Sequence, residues 1–136
     1  MASEDTEELR AFLRENVSTF EELETLLFFM RAAPGQRTVS EVAAALRMPE
    51  EMAQTALDGL LAASSVLERT SRDGQSVAFS FAPPAELQEV LGKLERAYDE
   101  QRLDIVRIMS SNALERVRSS AARRLADAFR LERSKK

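Results

Sequence analysis

Residues 35–81 read GQRTVSEVAAALRMPEEMAQTALDGLLAASSVLERTSRDGQSVAFSF, and this stretch decides the fold. Its first half predicts two short helices in succession. Thr38 and Glu41 have the spacing of a capping box, which begins the first helix. Pro49 stands at the start of the second, where the missing N–H of a proline costs no hydrogen bond. The second helix then carries apolar residues at helical spacing, namely Ala53, Ala56, Leu57, Leu60 and Leu61.

The second half of the stretch predicts two strands joined by a tight turn. Val77, Phe79 and Phe81 alternate with small residues, as in a strand that buries one face. Asp73 and Gly74 precede this run, and Asp-Gly is a strong hairpin signal because both residues tolerate a positive φ. Two prolines at positions 83 and 84 end the unit.

Two further helices are predicted before this stretch. Residues 4–17 carry apolar residues on one stripe, and Thr19 with Glu22 forms a second capping-box pattern that begins another helix. The Ala-Pro-Gly sequence at residues 33–35 ends it. The order of three helices followed by a hairpin is that of a winged helix.

Residues 84–136 are predicted to be helical to near the end. An apolar stripe there could pack on the chain's own winged helix or form a seam between two protomers, and we favour the dimer interface. The Ser-Ser-Asn sequence at residues 110–112 is predicted to interrupt the helix, after which a last helix carries a second apolar face. The first stripe consists of Leu87, Leu91, Leu94, Tyr98, Ile105 and Ile108, and the second of Leu114, Val117, Ala121, Leu125 and Phe129.

These patterns together predict a mainly α (α+β) fold, a winged helix with a small β-hairpin wing and a long C-terminal helical extension. Residues 1–83 are predicted to form the winged-helix domain with an additional N-terminal helix. Residues 84–136 are predicted to form the extension, with a role in dimerisation.

The composition argues against several classes of protein. The chain contains no cysteine and no histidine, so it lacks thiolate metal ligands and the commonest general base. Its four glycines are isolated, so no phosphate-binding loop is present. We therefore predict that the protein is not an enzyme and holds no metal or cofactor. No apolar run approaches the roughly 20 residues of a membrane span, and the acidic start lacks the layout of a signal peptide. We expect a cytoplasmic protein with no membrane contact.

The segments SEVAAALRM, LDGLLAASSVLER and RDGQ resemble the winged helix-turn-helix of bacterial transcription regulators, the MarR-like group in particular, over residues 20–83. The ending LADAFRLERSKK is similar to the C-terminus of a set of short, uncharacterised bacterial winged-helix proteins. The first resemblance implies that the helix after the turn enters the major groove and that the wing touches the DNA backbone or minor groove. The DNA-binding residues it implies are Arg37, Arg47, Gln54, Thr55, Arg69 and Arg72.

Charge is unevenly distributed along the chain. Residues 1–30 hold eight acids against two arginines, a balance of −6, whereas residues 84–136 hold twelve basic and nine acidic side chains, a balance of +3. The predicted reading helix carries Glu50, Glu51 and Asp58 but no lysine or arginine. Because DNA affinity comes largely from cations that neutralise phosphates, we expect the surrounding arginines to supply it.

Two functions remain open at this point. The first is a dimeric, DNA-binding transcription regulator, whose partners are DNA and a second copy of the chain. The alternative is a protein-interaction module on a winged-helix scaffold that does not bind DNA, in which the acidic start and basic end dock a protein partner or each other.

Overall fold

The computed structural model describes residues 3–72, 74 and 76–134, and the side chains of residues 4–71, 74 and 76–129 among them. Over this part of the chain the fold contains six helices and one small sheet. In chain order the elements are α1 (Ser3–Asn16), α2 (Phe20–Ala32), β1 (Gln36–Arg37), α3 (Val39–Leu46), α4 (Glu50–Ala63), β2 (Leu67–Arg72), β3 (Ser76–Phe81), α5 (Ala85–Glu100) and α6 (Arg102–Ser134). The predicted winged helix with a helical extension is confirmed.

The helix starts follow the predicted capping signals, with one difference. At α3, Thr38 and Glu41 form the complete capping box. At α2, the Thr19 hydroxyl accepts the backbone N–H of Glu22 at 3.1 Å. The Glu22 carboxylate accepts the N–H of Ser18 at 3.0 Å instead of that of Thr19, so the return contact reaches one residue further back.

The sheet has the strand order β1-β3-β2, with both pairs antiparallel. The hairpin of β2 and β3 is as predicted. Strand β1 was not predicted, because a strand of two residues is too short to show an alternating pattern. Its pairing attaches the segment before α3 to the wing, which joins the helix-turn-helix and the hairpin into one unit.

The C-terminal extension differs from prediction at two points. A break at Gln101 divides the first apolar stripe between α5 and α6, where a continuous helix was expected. The predicted interruption at residues 110–112 is wrong, because α6 runs through it without a break. Asn112 is buried there and donates from Nδ2 to the Arg10 carbonyl of α1 at 3.2 Å, so this polar position serves packing against α1.

Most of the first apolar stripe lies inside the single chain. Leu91, Leu94, Ile105 and Ile108 have exposed fractions between 0% and 3%, in one core with residues of α1, α2 and α4. Leu87 and Tyr98 are half-buried and pack against that core. Helix α1 contacts both α5 and α6, so the two halves of the stripe pack in the same core. In this structure the stripe packs on the chain's own winged helix. The surface that a second copy would cover stays a prediction.

Within the described residues, no helix is both long and apolar enough to cross a membrane.

Candidate nucleic-acid interface

Two of the predicted DNA-binding arginines lie at opposite edges of the sheet in a single row. Arg37 of β1 is the register partner of Phe79 in β3, and Arg69 of β2 is the register partner of the same phenylalanine. Directly opposed residues of antiparallel strands project on the same face, and two strand spacings separate the outer Cα atoms by about 10 Å. Phe79 is buried and anchors the row. The sheet therefore holds two cations on either side of a core residue.

The two arginines differ in how firmly they are held. The Arg37 side chain is half-buried, and its Nη1 donates to the Gln36 carbonyl at 2.9 Å. Arg69 is exposed. Strand β2 ends at Arg72, opposite Ser76, but the Arg72 side chain lies outside the described part of the structure. At the wing tip Gly74 has φ 72°, a left-handed conformation that glycine adopts without steric cost.

Arg47 occupies the turn between α3 and α4. It caps the C-terminus of α3 with φ 55° and ψ 48°, and its N–H donates to the Ala43 carbonyl. A non-glycine residue in this left-handed region costs about 1–2 kcal/mol. The turn then continues through Met48 to Pro49, the residue that precedes α4. An exposed arginine is thus held in a strained backbone conformation at the centre of the helix-turn-helix.

The exposed face of α4 is acidic, and its polar side chains are engaged within the protein. Gln54 donates from Nε2 to Oδ1 of Asp58 at 2.8 Å, and the Thr55 hydroxyl donates to the Glu51 carbonyl at 3.0 Å. Glu50 accepts the hydroxyl of Ser40 at 2.6 Å. Each predicted base-contacting side chain therefore already makes one intrahelical hydrogen bond, while Gln54 keeps a second Nε2 hydrogen and its Oε1, and the Thr55 oxygen can still accept.

The structure thus brings Arg37 and Arg69 together on the sheet. Arg47 lies in the α3–α4 turn, and Gln54 and Thr55 lie on the exposed face of α4. The sequence pattern could not show the Arg37–Arg69 relationship, since it depends on the register of a strand that was not predicted.

Two basic side chains of the C-terminal extension contact the acidic helix α1. Lys93 neutralises carboxylates of α1, and Arg116 caps its C-terminal end. Nζ of Lys93 lies 2.8 Å from Oε2 of Glu8 and 3.2 Å from Oδ1 of Asp5. Hydrogen bonds to these carboxylates, first Glu8 and then Asp5, raise the pKa of Lys93 above its ordinary value. The Arg116 guanidinium donates to carbonyls at the C-terminal end of α1, including that of Arg14 at 2.9 Å. Both cations act within the fold, so neither is a free contact for nucleic acid.

Helix α6 exposes a large apolar surface, which the sequence predicted only in part. From residue 114 onward, α6 has four large apolar side chains with exposed fractions between 49% and 64%, and Phe20 at the start of α2 is 43% exposed. The sequence showed that the α6 residues share a face, but not that this face is uncovered. The four are Leu114, Val117, Leu125 and Phe129.

Comparison with known proteins supports the fold. No protein-family model matches the chain, and no curated protein matches it. Among solved structures, it is similar to the crystal structure of a MarR family transcription regulator, with 22% sequence identity and a TM-score of 0.50. The match covers 91% of this chain and 82% of the other. The protein therefore has a MarR-like winged-helix fold, as the sequence resemblance implied.

Proposed function

We propose that this protein is a DNA-binding transcription regulator of the winged-helix type that acts as a homodimer. The observation that carries the proposal is the Arg37–Phe79–Arg69 row across the wing sheet. Phosphate contacts position a protein on a duplex and supply most of its affinity, and they require cations on a rigid support. The core residue between the two arginines provides that support.

The remaining predicted residues have subordinate roles in this proposal. Arg47 and Arg72 add phosphate contacts from the α3–α4 turn and the wing. Gln54 and Thr55 are the side chains of α4 that can pair with base edges, through polar groups that their intrahelical hydrogen bonds leave available. Because α4 has carboxylates and no basic residue, affinity depends on the arginines around it.

The homodimer rests on the exposed apolar face of α6. Four large apolar side chains in a row on one helix form a larger apolar surface than scattered exposed residues do, which favours a protein contact. The helix has 33 residues, which corresponds to about 50 Å. A second copy covering this face would place two winged helices for two half-sites of an operator. In the proposal, Leu91, Leu94, Ile105 and Ile108 support the interface from within the protomer.

The test is binding of mixed genomic DNA fragments at low salt, followed by titration with salt. We expect the double variant Arg37→Ala/Arg69→Ala to lose affinity for all sequences and to reduce the slope of log K against log salt by about two. The matched control is Arg96→Ala/Arg107→Ala, which removes the same charge from exposed helix positions. Failure of the wild-type protein to shift mixed DNA at low salt would sink the regulator proposal.

The acidic face of α4 favours a second candidate, a winged helix used as a protein-interaction module without DNA binding. Glu50, Glu51 and Asp58 repel phosphates and suit a basic partner. The two candidates separate in the same assay. A module of this kind leaves DNA unshifted, and Glu51→Gln with Asp58→Asn does not create binding.

A further inference from the structure

A groove crosses the N-terminal turn of α2, with α4 on one side and α6 on the other. The part between α2 and α4 has a volume of about 460 Å³, and the part between α2 and α6 has a volume of about 560 Å³. Thr19 and Glu21 line both parts, so the two lie side by side across the start of α2. We call the whole the α2 groove.

The α2 groove combines apolar and acidic chemistry. Phe20 and Met52 are 43% and 42% exposed, which is high for large apolar side chains. The carboxylate residues Glu21 and Glu51 lie beside them, and the described lining residues include no lysine or arginine. Exposed methionine and phenylalanine suit an apolar partner, and the two carboxylates suit a cationic one. The groove therefore fits an amphipathic, basic segment.

One segment of the chain is both basic and amphipathic, and its apolar side chains are exposed. Residues 118–134, which we call the C-terminal arm, form the distal half of α6 and hold five arginines against two acids. Leu125 and Phe129 of the arm are 60% and 58% exposed. Every residue of the arm whose side chain is described is exposed, so the arm extends beyond the protomer's own core.

The arrangement of charge on the arm matches the groove. At about 100° per residue, the apolar face of α6 from Val117 to Phe129 spans about 120°, Arg118 lies within it, and Arg124 lies about 20° beyond its Val117 edge. Arg123 lies on the opposite face. The apolar face of α6 thus contains one cation of the arm and is bordered by a second.

We propose that the α2 groove holds the C-terminal arm of a second copy of this chain. Leu125 and Phe129 pack on Phe20 and Met52, and Arg118 and Arg124 pair with the acidic residues of the groove. The inference rests on the proposed homodimer and assigns its contact. Under two-fold symmetry, each arm enters the partner's groove, so the contact forms twice.

The contact has a consequence for α4. Thr55 also lines the groove, so base contact by Thr55 and docking of the arm exclude each other. Arg37 and Arg69 do not line the groove. The arm would therefore restrict base contact by α4 while leaving the sheet arginines available to phosphates.

The test measures the dimer dissociation constant of the full chain by sedimentation velocity. Glu21→Arg/Glu51→Arg and Arg118→Glu/Arg124→Glu should each weaken the dimer by about tenfold or more, because like charges then face each other. The variant that combines all four changes should restore it. Matched controls are Glu24→Arg, an exposed α2 residue outside the groove, and Arg123→Glu, on the opposite face of the arm. Both should leave the dimer unchanged, and thermal unfolding checks that each variant folds.

The outcomes separate this inference from the function proposed above. A dimer unaffected by either pair, weakened by only one pair, or weakened by both without restoration overturns the arm contact and leaves the homodimer standing. A wild-type chain that stays monomeric at high concentration overturns both the contact and the homodimer. DNA binding by the monomer would still be tested independently through Arg37 and Arg69.

Discussion

A Cβ added at Gly59 of α4 would lie 2.8 Å from Oε2 of Glu22 in α2. Glu22 is buried, with an exposed fraction of 7%, and its carboxylate is held by the N–H of Ser18 and by Thr19. Glycine at position 59 therefore allows α4 to pack directly on the cap of α2. This close approach links α4, the proposed reading helix, to α2, whose first turn lines the α2 groove.

We expect Gly59→Ala to destabilise the protein by about 1 kcal/mol. The gain in helix propensity of about 0.5–1 kcal/mol is outweighed because the added methyl displaces the Glu22 carboxylate or moves α4. Gly92→Ala is the matched control, since an added Cβ in α5 would meet nothing within 4 Å. It should stabilise by about 0.5–1 kcal/mol. Urea unfolding at equal protein concentration measures both, and equal stabilisation by the two changes would contradict the close packing.

Arg47→Gly should raise stability while weakening DNA binding. Glycine relieves the left-handed conformation at φ 55°, which costs an arginine about 1–2 kcal/mol, although its greater unfolded-state freedom offsets part of that gain. The proposed function predicts a simultaneous loss of phosphate contact. Thermal unfolding and a low-salt DNA titration on the same sample give the two readouts, with Arg47→Lys as the charge-preserving control. Unchanged DNA affinity in the glycine variant would remove Arg47 from the proposed interface.

Lys93→Gln should loosen the attachment of α1 to α5 in a pH-dependent way. Because Glu8 and Asp5 raise the pKa of Lys93, the folded chain favours its ammonium form. The resulting stabilisation is fully present below the unfolded lysine pKa of about 10.4 and is lost as pH rises through the raised folded value. The difference in urea midpoint between wild type and variant should stay constant from about pH 7 to 9 and narrow above about pH 10.4. Arg107→Gln, which removes a more exposed cation paired with Asp104, serves as the control. A difference in urea midpoint that grew above about pH 10.4 would contradict the pairing of the Lys93 ammonium with Glu8 and Asp5.

Arg116→Ala should destabilise the protein by about 1 kcal/mol, because it leaves carbonyls at the end of α1 without their charged donor. The comparison variant is Arg123→Ala, which removes an exposed arginine two helical turns further along α6. Its unfolding midpoint should stay within the error of the wild-type value. Chemical denaturation monitored by circular dichroism distinguishes the two, and equal effects would show that Arg116 acts only through net charge.

Local chemistry explains why much of the fold was predictable. Thr38 and Glu41 specify the start of α3 through bonds to neighbouring backbone groups, and Asp73-Gly74 marks the turn of the wing. The periodicity of α4 identified its buried face correctly at Ala53, Leu57 and other positions. Such signals depend on a few neighbouring residues, so they can be recognised without knowledge of the rest of the chain.

The candidate site was predictable as a set of residue types but not as a geometry. The resemblance pointed to Arg37 and Arg69 separately, and only the pairing of β1 with β3 places them in one row. Similarly, Gln54 was assigned to base contact without its hydrogen bond to Asp58. Strand register and side-chain pairing depend on which surfaces meet, and a linear pattern does not contain that information.

The sequence by itself determined the winged-helix order, the acidic character of α4 and the existence of two apolar faces in the C-terminal extension. Only the tertiary structure decided which of those faces is the core. Leu94 and Ile105, on either side of the break at Gln101, are buried in one core with residues of α1, whereas Leu125 and Phe129 are exposed on the arm. The physical reason is that apolar periodicity shows that a face must be covered, while the covering element is chosen by long-range packing.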